Sequence, residues 1–559
     1  MTLGLIVPGC TLLFPSKDGG FDRDSAEDDT GGFETGSAEL GSGGDELGFT
    51  PDDAIDPQDP GDDSSTAESG EGGEIGEINE PVEPDEPDLG DGESPVPNGP
   101  RRSLIETNPE ALVGLGMAPI LSHAALAVDL LDDPEFTHTR LTDSFNSAEQ
   151  AVLAGGSHCD DTLVDGIPSL GGYPIQCPRA EAGQVGGLQA WFPIAAVNRF
   201  DLAAEDGSDC GEQRLIVASN LQVRMLVIFE ARIPNPEPSC GLLACRPVVD
   251  FWLGLEDIED PAARAEQLRM AFLEGHPVLT EAGFEPFMAA VNLTFGAGQI
   301  RSNSFDDDPW TLRQFRFASE GERLGVVAEP VTASIFGPLW NDLGGQPQGP
   351  ACRQSVLDEL ETLLVDDPAA MGLLVDPICF AGESRDDGQG GYAAALLAGS
   401  GGFEAALGQR LSELGSDLSP VELANRASFA VDCMGCHETA TGLALGHDSI
   451  SPSSRGFVHV SELELEPCDG GSCFAISPAL EHSFLPARQA VLEAFVADSS
   501  SEPGCEGGPP DAITLLHEGP ATTGLPSAVL GVEQLLNWER SLRAGLSKRT
   551  LSGRPRGAH

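Results

Sequence analysis

Residues 429–442 read FAVDCMGCHETATG, which sets Cys433, Cys436 and His437 in a C-x-x-C-H string. Three chemistries use part of that pattern. In covalent haem attachment each Cys sulfur bonds a vinyl-derived carbon of the porphyrin. The two-residue gap puts both thioethers on one face of a short turn, and the adjacent His lies under the iron as its ligand. A structural zinc site needs four closed ligands. Cys468 and Cys473 could complete one with Cys433 and Cys436, but His437 would then have no role. A redox dithiol wants its C-x-x-C at the start of a helix that follows a strand. With 13 Cys and 10 His in 559 residues, chance would produce C-x-x-C-H roughly 0.005 times. All three residues at that spacing favour haem.

The elements around the motif read as helices. Ser419-Pro420 has the residue types of a helix start, Ser as cap and Pro at the first helical position. The helix SPVELANRASFAVD then leads straight into Cys433, the wrong order for a redox dithiol. A second helix is expected from Pro486 in PARQAVLEAFVAD, with Val491, Leu492, Phe495 and Val496 as its apolar face. A third is expected in VEQLLNWERSLRAGL, near the C-terminus.

With a helix before CMGCH and helices after it, residues 416–546 resemble a c-type cytochrome domain. The resemblance implies one covalent haem c, thioethers at Cys433 and Cys436, and His437 as the proximal iron ligand. It also implies a compartment outside the cytoplasm. The downstream Met that many single-haem cytochromes use as distal ligand is missing, because no Met follows Met434. His447, His459, His482 and His517 lie downstream. His459, in the apolar stretch of SRGFVHVSEL, is the preferred metal ligand, ahead of His482; an open sixth position is the remaining case. Two imidazoles hold the potential below that of a His/Met pair.

Residues 101–415 read as a mixed domain. WFPIAAVNRFDL, QRLIVAS, RMLVIFEARI, GQIRSNSF, TLRQFRFASE and RLGVVAEPVTASIF have strand character. PEALVGLGMAPILSHAALAVDLL, DPAARAEQLRMAFLEG, RQSVLDELETLLVD and GYAAALLAGSGGFEAALGQRLSEL read as helical. The strands cluster between helices rather than alternating with them, so the expected class is α+β. The expected organisation is this large mixed domain followed by a small, mostly α-helical haem domain over 416–546 and a tail over 547–559. The acidic loop NRFDLAAEDGSDCGEQR offers Asp201, Glu205, Asp206, Asp209 and Glu212 as oxygen ligands, without the spacing of a calcium-binding loop. No G-x-S-x-G, H-E-x-x-H, P-loop or G-x-G-x-x-G string is present, so no catalytic residues are assigned.

The N-terminal hundred residues differ in kind. Residues 18–100 carry 27 Asp and Glu against Arg23 alone, among Gly, Ser and Pro. Such a segment cannot bury enough apolar surface to offset its ordering entropy, and reads as a disordered linker. Before it, MTLGLIVPGCTLLFPSK ends a short apolar run in Gly9-Cys10. This looks like a lipoprotein signal with Cys10 as the lipidated residue, although no Lys or Arg precedes the run and Pro8 stands where a small residue is usual. The formal charge of −62 repels phosphate backbones and anionic headgroups, which argues against nucleic acid and leaves a lipid anchor at Cys10 as the only membrane contact. Setting aside Cys10, Cys433 and Cys436, ten cysteines remain, the even number that disulfides in an oxidising compartment require. Cys240 with Cys245 and Cys468 with Cys473 are the two closely spaced pairs. The expected function is an exported single-haem protein that passes single electrons to a redox partner. The alternatives are a peroxidase-like haem enzyme, and a non-haem surface binding protein with Cys433 and Cys436 joined as a disulfide.

Overall fold

The structure, a computed structural model, describes residues 101–499 apart from 144, 150–157, 180–181, 221–222, 295–298, 306–309, 388 and 470. Cys10, the acidic segment, Cys505, His517, the expected helix VEQLLNWERSLRAGL and the tail lie outside the described residues.

Strands rich in β-branched and aromatic residues build the centre of the molecule. Ile105–Glu106 (β1), Phe192–Arg199 (β2), Asp209–Asn220 (β3), Arg224–Pro234 (β4), Gln299–Phe305 (β5), Thr311–Glu320 (β6), Arg323–Glu329 (β7) and Ser384–Arg385 (β8) form one eight-stranded sheet. Its order is β1-β2-β3-β4-β5-β6-β7, every pair antiparallel, with β8 added beside β6. Side chains two apart share a face. Leu215, Val217, Val227, Phe229 and Ile300 are fully buried on one face. The helix Arg246–Glu256 is tied to this face: its Trp252, fully buried, donates its indole N–H to Gln213 Oε1 at 2.7 Å. The other face presents Arg199, Arg214, Ile216, Ile228, Glu230, Arg301 and Asn303 to a cavity. The register agrees, with Arg214 opposite Glu230, Ile216 opposite Ile228 and Ile228 opposite Arg301.

The expectation of an α+β chain ending in a small, mostly helical domain is overturned. The described part is built around β-sheet, and no separate helical domain stands at its C-terminal end. The helix Pro420–Val431 (α1) forms as expected, with Ser419 and Glu422 closing a reciprocal capping box. The helix Leu485–Ser499 (α2) also forms. Between them, however, Val460–Cys468 (β9) and Gly471–Ile476 (β10) pair as an antiparallel hairpin. VSELELEP alternates apolar and polar residues, a period of two that a helix cannot use. The hairpin and both helices pack into the apolar core of the large sheet: Phe474 stacks on Phe192 of β2, with ring centroids 6.3 Å apart, and Phe495 lies 4.6 Å from Phe200.

Among the described residues disulfides join Cys159 to Cys177, Cys210 to Cys245, Cys352 to Cys379 and Cys468 to Cys473. They are compatible with an extracytoplasmic protein. Cys468 and Cys473 close the β9–β10 hairpin, as their spacing allows. Cys245 does not bond Cys240 but reaches back to Cys210 at the start of β3, anchoring the Arg246–Glu256 helix to the sheet.

Candidate cofactor site

The motif is held by the residue before it. Asp432 ends α1 in an extended conformation and restarts the chain as a second short helical turn. Its Oδ2 accepts the Gly435 N–H at 2.7 Å and its carbonyl accepts the Cys436 N–H at 2.9 Å, the work of an N-cap. Ser334 and Ser384 donate to Oδ1 at 2.8 and 3.1 Å. Burial pushes the Asp432 carboxyl up to about 6, against the opposing pull of these donors. Gly435 is required by space: a Cβ there would lie 2.0 Å from the Ser428 carbonyl oxygen.

Cys433 and Cys436 belong to none of those disulfides. Together with His437 and His459 they line a cavity, partly open to solvent, whose floor is the charged face of the sheet. Val458, Val460, Leu480 and Phe484 complete its walls with apolar surface. The structure brings these four residues to one cavity. His437 Nδ1 lies 2.9 Å from the Phe457 carbonyl oxygen, which leaves Nε2 for a ligand. Phe457 itself has φ 69°, a strained value for an aromatic residue, and that strain aims its carbonyl at the ring. Such a carbonyl partner is the usual way a metal-bound imidazole is oriented. His459 is arranged alike: Nδ1 lies 2.8 Å from Ser477 Oγ, and Nε2 lies 3.4 Å from Cys436 Sγ. The two imidazole centroids are 4.7 Å apart, and Trp310 lies 5.6 Å from His437 on its other side. Burial lowers His437 to about 4, and burial with the neighbouring His437 and Arg488 depresses His459 as well. Both imidazoles are neutral at pH 7, the form that binds metal.

The other histidine candidates are elsewhere. His482 is exposed beside Glu481, and His447 bridges Asp366 and Asp417 at the surface. The zinc reading loses two of its ligands to the Cys468–Cys473 disulfide. The acidic loop does not gather oxygen ligands for a cation. Asp201 engages Arg199 at 2.8 Å, Asp209 engages Arg232 at 2.9 Å, and Glu212 engages Arg214 at 2.7 Å. Among the described residues no group of three or more His, Cys, Asp or Glu is placed to hold a bare metal ion. A porphyrin iron brings most of its own ligands and asks only one or two imidazoles of the protein.

The fit of that group can be judged from the cavity. Val458, Val460, Leu480 and Phe484 offer apolar surface to a flat macrocycle, and Cys433, Cys436 and His437 line the same cavity. One adjustment is needed. A metal bonded by both imidazoles at about 2 Å needs centroids about 6 Å apart, more than the 4.7 Å seen, so His459 would have to withdraw from Cys436.

Sequence reasoning missed the arginines of this site. Arg199, Arg214 and Arg301 alternate with core residues and read as solvent-facing. Arg488 reads as the polar side of an amphipathic helix, yet it is only 8 % exposed and faces the cavity. Asp432 also went unread, although a carboxylate three residues before a glycine in a turn is a recognisable cap signal. No family model, no curated protein and no solved structure matches the chain.

Proposed function

We propose that the protein is an exported, single-haem electron carrier. The observation that carries the reading is the convergence of Cys433, Cys436, His437 and His459 on one cavity, with each imidazole held through Nδ1, His437 offering Nε2 and His459 Nε2 lying against Cys436 Sγ. Cys433 and Cys436 would hold the haem as thioethers, His437 would bind its iron, and His459 would be the second imidazole available to it. When bound, the haem supplies one-electron chemistry. The chain's own contributions are orientation, by Asp432 and the Phe457 carbonyl, and exclusion of water by the apolar wall. Two neutral imidazoles would set a low potential. The disulfides support a location outside the cytoplasm; periplasm or outer surface, with a lipid anchor at Cys10, is part of the same proposal. The acidic linker would act as its tether and keep nucleic acid away.

Chain made with haem-attachment machinery should show a reduced haem band in alkaline pyridine and a low-spin, six-coordinate ferric spectrum. A spectrum without any haem band would remove the proposal. High-spin haem with rapid peroxide turnover would move it to the peroxidase-like enzyme. A second reading rests on the 3.4 Å approach of Cys436 Sγ to His459 Nε2, a thiol–imidazole pair with Ser477 behind it. It predicts fast alkylation of Cys436 in chain without haem, abolished in His459→Ala.

A further inference from the structure

The charges on the cavity wall do not balance. Arg199 is held by Asp201, with three contacts of 2.8 to 3.2 Å. Arg214 is shared between Glu212 at 2.7 Å and Glu230 at 3.2 Å. Arg488, on α2, faces the same cavity and is 8 % exposed. Its guanidinium has no carboxylate within ion-pair distance among the described residues. Its recorded contact is the Phe484 ring, 5.8 Å away. Asp201 is near enough to feel Arg488, but it is already spent on Arg199. A guanidinium taken out of water without a counter-charge is costly, and removing that cost needs an anion. Phosphate or sulfate could meet the charge alone. The planar fork, set in an apolar enclosure beside Cys436 and His459, fits a carboxylate on a large apolar body better.

We propose that Arg488 is the anchor of a carboxylate-binding subsite in this cavity, taking either a carboxylate of the bound porphyrin or that of a free organic acid. The first source rests on the haem reading; the second does not. A carboxylate placed there would form a charge-assisted pair with the guanidinium and leave Arg199 and Arg214 in their existing pairs.

The test uses the full chain with Cys433→Ala and Cys436→Ala, so that binding is reversible. Haemin and haemin dimethyl ester, which lacks free carboxylates, are titrated by absorbance. The chain with Arg488 intact should prefer haemin by about tenfold, within reach of one charge-assisted pair. Arg488→Gln should lose that preference and Arg488→Lys should keep part of it. A porphyrin source predicts this pattern together with no binding of benzoate to the haem-loaded native chain. A free-acid source predicts Arg488-dependent benzoate binding to that loaded chain. Equal affinity for haemin and its ester in the Arg488 chain, with benzoate binding unchanged by Arg488→Gln, would overturn the proposal. If haemin does not bind at all, the cofactor reading fails, and benzoate binding to the chain without haem decides the subsite by itself. Should Arg488→Gln not fold, the haemin-against-ester comparison in the Arg488 chain and in Arg488→Lys still decides it.

Discussion

The two faces of the central sheet are built from the same strands and serve opposite ends. On one face Leu215, Val217, Val227, Phe229 and Ile300 are fully buried and form a dry core with the Arg246–Glu256 helix. On the other, neighbours one residue away in sequence are Arg214, Ile216, Ile228, Glu230 and Arg301, lining a cavity under the C-x-x-C-H turn. A sheet face that meets plain solvent has no reason to keep Glu230 at 1 % exposure between two arginines. Those charges pair with one another under cover, unlike the apolar side chains of the opposite face. On the proposal above, stability is assigned to one face and binding to the other.

The sharpest way to break that assignment is to truncate adjacent residues. Phe229→Ala should cost about 3–5 kcal/mol by chemical denaturation, the usual range for a buried aromatic. Ile228→Ala should cost about 1–2 kcal/mol, because part of its surface already faces open space. Equal losses would mean that the cavity face is core as well.

Acidification gives the next largest effect. Burial lowers His138 and His276, both away from the cavity, to about 4. The unfolded chain takes up protons near pH 6.5 that the fold refuses until about 4, so stability should fall as pH drops through that window. The loss is on the order of 2–3 kcal/mol for each imidazole. Asp432 acts in the opposite sense. Its carboxyl, raised to about 6, protonates in the fold before it does in the unfolded chain, so it offsets part of the loss. Denaturation at pH 7 and pH 5 should therefore show a steeper decline in Asp432→Asn. An equal decline in both proteins would contradict the burial of that carboxyl.

Gly435→Ala should cost about 1–3 kcal/mol, for overpacking against the Ser428 carbonyl. It sharpens the contrast because its damage is local. The motif turn should shift, and haem incorporation should drop while the disulfide-bonded core keeps its near-ultraviolet circular dichroism. Loss of both together would mean that motif and core fold as one unit.

What the sequence discloses follows from the range of the forces involved. Local signals were legible. Ser419-Pro420 marks the start of α1, each of the strands β2 to β7 lies on a short run of strand character, and C-x-x-C-H is complete in five residues. His459 was found because it sits among apolar neighbours. The error lay in treating residues 416–546 as their own helical domain. The helices at 420 and 485 are genuine, but the packing of Phe495 on Phe200 is a long-range contact that no local pattern carries. The VSELELEP alternation that makes β9 was the available clue. Arg488 was illegible for a related reason, since an arginine on a helix is solvated unless the fold brings a wall to it.

The central claim is that the charged face floors a covalent haem site. The most direct test is the mass of the intact, denatured chain after expression with haem-attachment machinery, beside the Cys433→Ala, Cys436→Ala chain. The account predicts one haem-sized increment that survives denaturation in the first and none in the second. A native chain with no increment, in preparations where a control cytochrome is loaded, would contradict it.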